Sequence, residues 1–193
     1  DGRVWDEDAT YEYYKHGPLA RKTLGEYNVQ GIDYVYTIHG WLKTMNNPLS
    51  EMDNGPTLVF DPGADGMVSS GTARDAFGMN LGYYEGDFTR TGTVQEYLSD
   101  LYDENTTGNN DLYNGNISNW THSRNSLDSE TPQYIASQTG IYRYDLLQRI
   151  KQATYAQEGE TSWDPVNAYT SRYDYDRNGN LNKLVRYDSE GTQ

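Results

Sequence analysis

The sequence predicts an all-β fold of repeated antiparallel β-hairpins with long loops and one short helix, and two observations carry that prediction. A Tyr-x-Tyr pair occurs four times, and each time a branched apolar residue follows six positions after the second tyrosine. Tyrosine also outnumbers phenylalanine, at 19 residues against three, which suits a thin sheet whose rings are buried while their hydroxyl groups reach water or a backbone partner. A fixed offset that recurs along a chain indicates a repeated supersecondary unit rather than an active site.

Each copy of the motif is predicted to form one hairpin. Residues two apart on a strand share a face, so the two tyrosines place their rings on the same side of the sheet. Three copies have a glycine four residues after the second tyrosine, where a left-handed residue closes a turn, and the remaining copy has Gln148 there. The repeat residues are Tyr11, Tyr13, Gly17 and Leu19; Tyr34, Tyr36, Gly40 and Leu42; Tyr142, Tyr144 and Ile150; and Tyr173, Tyr175, Gly179 and Leu181.

The fourth copy defines the register. Its Asp-Arg-Asn-Gly sequence at 176–179 predicts a type I turn closed by a G1 bulge, with Asp176 opposite Asn180. The face that this register predicts consists of Tyr173, Tyr175, Leu181 and Val185. Because an isolated hairpin is only marginally stable in water, neighbouring units are expected to stack.

The repeats cluster at the two ends of the chain. Residues 1–46 hold two hairpins, and residues 141–193 hold two more and the start of another at Tyr187. Between them, 47–140 is rich in Gly, Asn, Ser, Thr and Asp and is predicted to form longer loops that link less regular strands. The elements predicted inside it are strands at 57–60 and 81–84, a short helix at 94–102 and a mobile loop at 105–110. The chain starts without Met and stops inside a repeat, so we expect it to be part of a longer protein.

The net charge argues against two classes of partner, nucleic acids and anionic lipid surfaces. With 29 acidic against 15 basic residues the formal net charge is −14, whereas nucleic-acid binders need a basic surface. No run approaches the roughly 18 apolar residues of a membrane span, and no signal peptide is present. Cysteine is absent, so disulfides and thiolate metal sites are excluded. We therefore expect no nucleic-acid partner and no membrane insertion by this segment.

Two stretches of the chain resemble a known repeat. The sequences at 173–181 and 142–150 look like the YD repeat of bacterial Rhs proteins, of the shell subunits of insecticidal toxin complexes and of teneurins, and the second departs from it at Gln148. Segments 31–43, 75–88 and 112–117 are similar to sequences in large bacterial Rhs-type proteins. In that family, the resemblance implies, hairpins wind into a spiralling sheet or shell around a hollow that holds a toxin segment of the same polypeptide.

One part of the family pattern is missing. Rhs shells that release their cargo carry a C-terminal core with a self-cleavage sequence and catalytic aspartates. The Asp-Pro-Gly of this chain, at 61–63, lies in the middle of the sequence without the rest of that pattern. No catalytic residue is therefore carried over from the family.

The resemblance implies a structural function without catalysis, cofactor or metal. The expected function is that of a fragment of an Rhs/YD-repeat shell. Residues 1–46, 47–140 and 141–193 would all belong to one larger shell, which encloses or displays a toxin or effector segment of the same secreted or surface protein of a bacterium. The expected partners are the remainder of that polypeptide, including an enclosed cargo, and secretion machinery or surface glycans.

Two other functions remain open. A carbohydrate-binding surface adhesin would stack sugars on exposed aromatic residues. The candidates are Trp5, Trp41, Trp120, Trp163 and the pair Tyr83 and Tyr84, for which packing inside the protein is the simpler interpretation. A glycoside hydrolase would need two carboxylates about 5–10 Å apart across a cleft. The candidate pairs are Glu85 with Asp87 and Asp100 with Asp103, which composition alone explains in so acidic a chain.

Three further groups have a simple structural interpretation. The sequence at 174–179 copies the opening of an EF-hand loop, but the twelfth position is Val185 instead of Glu, so a turn is the preferred reading. Asp61 and Asp65 lie in a glycine-rich loop that we interpret as a solvated turn rather than a cation site. The chain has three histidines, His16, His39 and His122. His16 and His39 occupy matching repeat positions, so we interpret them as turn residues rather than ligands.

Overall fold

The structure is a computed structural model that describes residues 6–46, 63, 65, 71–73, 75–84, 86–88, 112–126, 133–158 and 163–193. Within these ranges it contains ten β-strands and no helix. The strands form an open antiparallel sheet whose order is the order of the chain, which confirms the predicted all-β hairpin fold. No described segment forms a helix of the length and apolar character that would span a membrane.

The strands differ in length. The longest, β7 and β9, have 12 and 13 residues, whereas β4 has four. The bounds are β1 Ala9–Tyr13, β2 Leu19–Leu24, β3 Gln30–Tyr36, β4 Leu42–Met45, β5 Phe77–Gly82, β6 Asn119–Ser126, β7 Gln133–Tyr144, β8 Ile150–Glu158, β9 Trp163–Tyr175 and β10 Leu181–Arg186.

All four Tyr-x-Tyr motifs form hairpins with one common register. In each, the second tyrosine lies opposite the apolar residue six positions later. The pairs are Tyr13 with Leu19, Tyr36 with Leu42, Tyr144 with Ile150 and Tyr175 with Leu181. In the fourth hairpin the amide of Asp176 donates to the carbonyl of Asn180 at 2.9 Å, and Gly179 has φ 90°. The predicted three-residue loop is therefore confirmed.

The register shifts by one residue directly after the apolar residue in every hairpin. The ladder passes over one residue there, which makes a β-bulge. The bulged residues are Ala20, Lys43, Lys151 and Asn182. As a result Tyr173 lies opposite Leu184, and Val185 lies opposite Arg172. The prediction that Val185 shares the face of the tyrosines was wrong, because a regular ladder had been assumed beyond Leu181.

The described residues divide into two compact units. Unit 1 contains β1 to β4 and most of β5, and unit 2 contains the end of β5 and most of β7 to β10. In unit 1, Glu12 lies opposite Arg21, which in turn lies opposite Asp33, so these three side chains form one row on one sheet face. The repeat tyrosines Tyr11 and Tyr13 alternate with Glu12 and lie on the other face.

In unit 2, β8 and β9 pair irregularly. Ala153 lies opposite Ser171, but two residues later Tyr155 lies opposite Val166, so β9 contains several extra residues. Tyr169 lies in this irregular stretch with φ 61°, and its amide donates to the carbonyl of Asp188 at 3.2 Å. The distortion thus lets β9 pair with the chain beyond β10.

Among the residues that the structure describes, the buried side chains are few and mostly polar. The apolar ones are Val35, Leu81, Tyr83, Ile141, Ala153, Ala156 and Ala168. The largest side chains that are fully buried in the described residues are instead Thr121, Thr139, Ser118 and Ser137. The hydroxyl groups of Thr121 and Thr139 lie 3.0 Å apart in a hydrogen bond, which offsets the cost of burying them. This composition is typical of a thin sheet rather than of a thick apolar core.

The middle of the chain agrees with its prediction only in part. The strand predicted at 81–84 is β5, which begins earlier, at Phe77, and ends at Gly82. Two further strands, β6 and the start of β7, also lie between 47 and 140. The strand predicted at 57–60, the helix at 94–102 and the loop at 105–110 lie outside the described residues.

Candidate functional site

An aspartate organises two of the hairpin turns and the turn that follows β10. The carboxylate of Asp176 accepts the amides of Asn178 and Asn180 at 2.9 and 2.8 Å. Asp145 makes the equivalent bonds in the third hairpin, and Asp188 makes them in the turn that follows β10. Hydrogen bonds from Asn180 hold the pKa of Asp176 below its ordinary value, and those from Arg149 do the same for Asp145. The Asp-containing turn is therefore a repeated feature of its own.

The second tyrosine connects each hairpin of unit 2 to the chain that precedes it. The hydroxyl of Tyr175 donates to the carbonyl of Ile150 at 3.0 Å, and that of Tyr144 donates to the carbonyl of Ile117 at 2.9 Å. Ile117 follows Gly115 by two residues, as Leu181 follows Gly179, and Gly115 also has a positive φ, of 87°. The two tyrosines thus bind equivalent backbone positions. We refer to Tyr144 and Tyr175 as the bridging tyrosines.

A cation reinforces the junction between the third and fourth hairpins. The guanidinium of Arg149 lies over the ring of Tyr175, 4.5 Å from its centroid, and donates to the carbonyl of Asp176 at 3.2 Å. Its other contact is an ion pair with Asp145 at 2.6 Å. Lys151, the bulged residue, pairs with Asp174 at 2.9 Å and lowers the pKa of that carboxyl group. Arg149 of the third hairpin therefore contacts both the ring of Tyr175 and the turn at Asp176 in the fourth hairpin.

Burial raises the pKa of both repeat tyrosines of the third hairpin, Tyr142 and Tyr144. Burial, with smaller contributions from Tyr155 and other tyrosines, raises the pKa of Tyr142 to about 12. Burial also raises the pKa of Tyr144. Both phenols are therefore neutral at physiological pH, so they act as hydrogen-bond donors and packing groups rather than as acids.

Unit 1 holds an open cleft of about 880 Å³, which we call the unit 1 cleft. Its lining comes mainly from one face of β1 to β3 and the first turn. The lining residues are Thr10, Glu12, Tyr14, His16, Ala20, Arg21, Thr23, Asn28, Asp33, Val35, Tyr36, Gly63, Thr72 and Phe88. The rings of Tyr14 and Tyr36 meet edge to face, with centroids 6.4 Å apart. The hydroxyl of Tyr14 donates to the carbonyl of Tyr34 at 2.7 Å, which holds its ring in place.

A buried ion network forms the floor of the unit 1 cleft. The guanidinium of Arg21 pairs with Asp33 and, at 2.7 Å, with Asp65, whose side chain is fully buried. Burial opposes the charge of Arg21, but the hydrogen bonds to Asp65 and Asp33 outweigh it and raise its pKa. A Cβ atom at Gly31 or Gly63 would collide with the charged ends of Arg21, Asp33 or Asp65, so a side chain at either position would displace the ion network. The interpretation of Asp65 as part of a solvated turn was wrong, because its side chain is buried against Arg21. The two residues lie 44 positions apart in the sequence.

The other sequence candidates take structural positions. His16 and His39 lie in hairpin turns, stacked or tilted against Tyr14 and Trp41, with ring centroids 5.3 and 5.0 Å apart. His122 stacks on Trp120 within β6 at 4.6 Å. The EF-hand-like carboxylates are engaged by the turn and by Lys151, as described above. Asp61, Trp5, the pair Asp100 and Asp103, Glu85 and the side chain of Trp163 lie outside the described residues.

The pair Tyr83 and Tyr84 divides between two environments. Tyr83 is buried, with 4% of its surface exposed, so it packs inside unit 2 as the simpler interpretation held. Tyr84 stacks on the exposed ring of Tyr113, with centroids 4.5 Å apart. Asp87 is also buried and accepts the amide of Tyr83 at 3.0 Å, which gives this carboxylate a structural partner.

No protein-family model and no curated protein sequence matches this chain.

Proposed function

We propose that the chain is a structural segment of an Rhs/YD-repeat shell, in which stacked hairpins enclose or display another part of the same large secreted or surface protein of a bacterium. The observation that carries the proposal is the common register of the four hairpins, including a bulge at the same position in each. A unit repeated with this fidelity serves to build a surface, because each copy satisfies the backbone of its neighbour.

The contacts between hairpins support the same proposal. In unit 2 the bridging tyrosines bind backbone carbonyl groups of the preceding turn, and Arg149 covers the ring of Tyr175. The partner of Tyr175 belongs to the adjacent Tyr-x-Tyr hairpin, and the partner of Tyr144 belongs to the segment that precedes β6. Within the described residues few apolar side chains are buried, which points in the same direction, since a sheet with little apolar core depends on its neighbours for stability. The function is therefore containment or display, with no catalytic residue assigned.

Protease protection of the full-length polypeptide that contains this chain tests the proposal. If the hairpins form a shell, a segment elsewhere in that polypeptide resists a broad-specificity protease under native conditions. The double variant Tyr144→Phe and Tyr175→Phe weakens the shell and exposes the segment to faster cleavage, whereas Tyr169→Phe serves as a matched control that removes an exposed hydroxyl. If no segment is protected, or if all three proteins are cleaved at equal rates, the proposal is wrong.

A carbohydrate-binding surface module is the second candidate. Two features favour it, the stacked pair of Tyr84 with the exposed Tyr113 and the open unit 1 cleft with its aromatic walls. Both features place ring faces where a ligand from solvent can reach them. A glycan array probed with the intact protein distinguishes this function from a shell, which has no requirement for glycan binding.

A further inference from the structure

We propose that the unit 1 cleft binds an uncharged saccharide. This inference rests on the second candidate function and does not require the shell. It assigns a ligand class to a site on the face of β1 to β3 that carries Glu12, Arg21 and Asp33. The repeat tyrosines Tyr11 and Tyr13 lie on the opposite face, whereas Tyr36 lines the cleft at the end of β3.

The charges of the cleft exclude anionic ligands. Among the described lining residues Arg21 is the sole lysine or arginine, and its guanidinium is engaged by Asp33, Asp65 and Thr72. Glu12, directly opposite Arg21 in the ladder, adds a further carboxylate to the lining. Phosphate groups, carboxylates and nucleotides would therefore meet repulsion without a compensating cation.

The polarity of the cleft excludes a lipid or another fully apolar ligand. Thr10, Glu12 and Asn28 line it with exposed polar side chains, and an apolar ligand would remove their hydration without replacing it. The rings of Tyr14 and Tyr36 supply apolar surface beside them. A sugar ring matches this mixture because it has an apolar C–H face and a rim of hydroxyl groups that both donate and accept hydrogen bonds.

Charged contacts within the protein fix the floor of the cleft. Its floor is the buried network of Arg21, Asp33 and Asp65, which fits against Gly31 and Gly63 without room for a side chain. A volume of about 880 Å³ lies within the usual range of ligand sites. A preformed site avoids the entropic cost of ordering its walls on binding, which favours weak polar ligands such as sugars.

The first experiment identifies the sugar and locates it. The intact protein is applied to an array of neutral and aminated oligosaccharides, and the strongest neutral ligand is titrated by calorimetry. His16 lines the cleft and stacks on Tyr14, whereas His39 occupies the same turn position in the second hairpin and does not line it. We expect His16→Ala to weaken binding about tenfold, and we expect its matched control His39→Ala to leave the affinity unchanged.

The charge of Glu12 separates a saccharide site from a cation site. We expect Glu12→Gln to change the affinity for the neutral sugar by no more than about threefold, because the amide keeps a hydrogen-bonding oxygen. Absence of binding to every neutral glycan overturns the proposal. Equal losses in the two histidine variants, or binding restricted to aminated ligands and abolished by Glu12→Gln, also overturn it. The protease-protection result is unaffected by any of these outcomes, so the two proposals fail separately.

Discussion

The hydroxyl group of Tyr144 makes a hydrogen bond that a phenylalanine ring cannot make. It donates to the carbonyl of Ile117 at 2.9 Å, and burial raises its pKa. We expect Tyr144→Phe to lower the free energy of unfolding by about 1 kcal/mol, the usual contribution of one hydrogen bond. The urea midpoint of the chain in its longest soluble form measures this loss.

The control for that prediction is Tyr169→Phe. Tyr169 is 60% exposed, so loss of its hydroxyl changes the free energy of unfolding by less than about 0.5 kcal/mol. Equal effects of the two substitutions would contradict a bridging function for Tyr144.

Gln148 occupies a backbone conformation that suits glycine. Its φ of 62° is left-handed, whereas the other three hairpins have glycine at this turn position. This conformation costs an L residue about 1–2 kcal/mol, and a glycine avoids that cost. Part of the resulting stabilisation is lost because glycine also increases the conformational entropy of the unfolded chain. We therefore expect Gln148→Gly to stabilise the protein by about 0.5–1 kcal/mol in urea denaturation.

The opposite substitution supplies the control for Gln148→Gly. Gly179 has φ 90°, so Gly179→Ala is expected to destabilise the protein by about 1 kcal/mol or more. A stabilising effect of Gly179→Ala, or a destabilising effect of Gln148→Gly, would show that the left-handed turn conformation does not determine how substitutions at these two positions change stability.

At the scale of single residues, the sequence predicted the local turn geometry correctly but not the side-chain contacts between residues far apart in the chain. The spacing from Tyr175 to Leu181 was enough to predict the loop, because the turn type is determined by local residues. The contact between Arg21 and Asp65 was missed, since nothing local indicates which of many aspartates meets an arginine 44 positions away. The carbonyl group bound by each bridging tyrosine was missed for the same reason.

At the scale of the hairpin, the turn aspartates Asp145 and Asp176, together with Asp174 of β9, make stability depend on pH. The pKa values of Asp145, Asp174 and Asp176 all lie below their ordinary values in the folded protein. As the pH falls, the unfolded chain therefore takes up protons at a higher pH than the folded protein does. The contribution of these groups to the free energy of unfolding is fully present above about pH 5, and it is lost as the pH falls below about 4 and through their lowered pKa values in the folded protein. We expect the urea midpoint to fall steadily between about pH 5 and pH 2.5.

A single substitution tests the origin of that acid sensitivity. Asp176→Asn keeps an oxygen that accepts the amides of Asn178 and Asn180 but removes the titrating group. Its urea midpoint is expected to depend less steeply on pH than that of the unchanged protein. Identical pH profiles would exclude Asp176 from the acid transition.

The element scale also shows why part of the register escaped prediction. The bulge after the apolar residue falls on Ala20, Lys43, Lys151 and Asn182, which share no property that a sequence pattern could detect. The strand β6 was likewise expected only as part of a loop-rich segment. Its buried residues are the polar Asn119, Thr121 and Ser123, and the hydroxyl group of Thr121 bonds to Thr139 of β7. The strand therefore has no apolar alternation that a sequence pattern could detect.

At the scale of the whole molecule, the described strands leave two sheet edges without a neighbour. In the strand order of the described residues β1 and β10 each pair on one side. Every residue of β10 except Val185 is exposed, including Leu181 and Leu184, which lie opposite repeat tyrosines. Such edges and faces are stabilised by further hairpins, and without them they favour association.

The central claim is that these hairpins are stable as part of a larger stack. Thermal and urea unfolding of residues 1–193 alone, combined with sedimentation to determine the association state, tests it most directly. The account predicts a poorly soluble or partly folded chain with a broad unfolding transition, because its outer strands lack their neighbours. A soluble monomer that unfolds in one sharp two-state transition, with equal calorimetric and van't Hoff enthalpies, would contradict it.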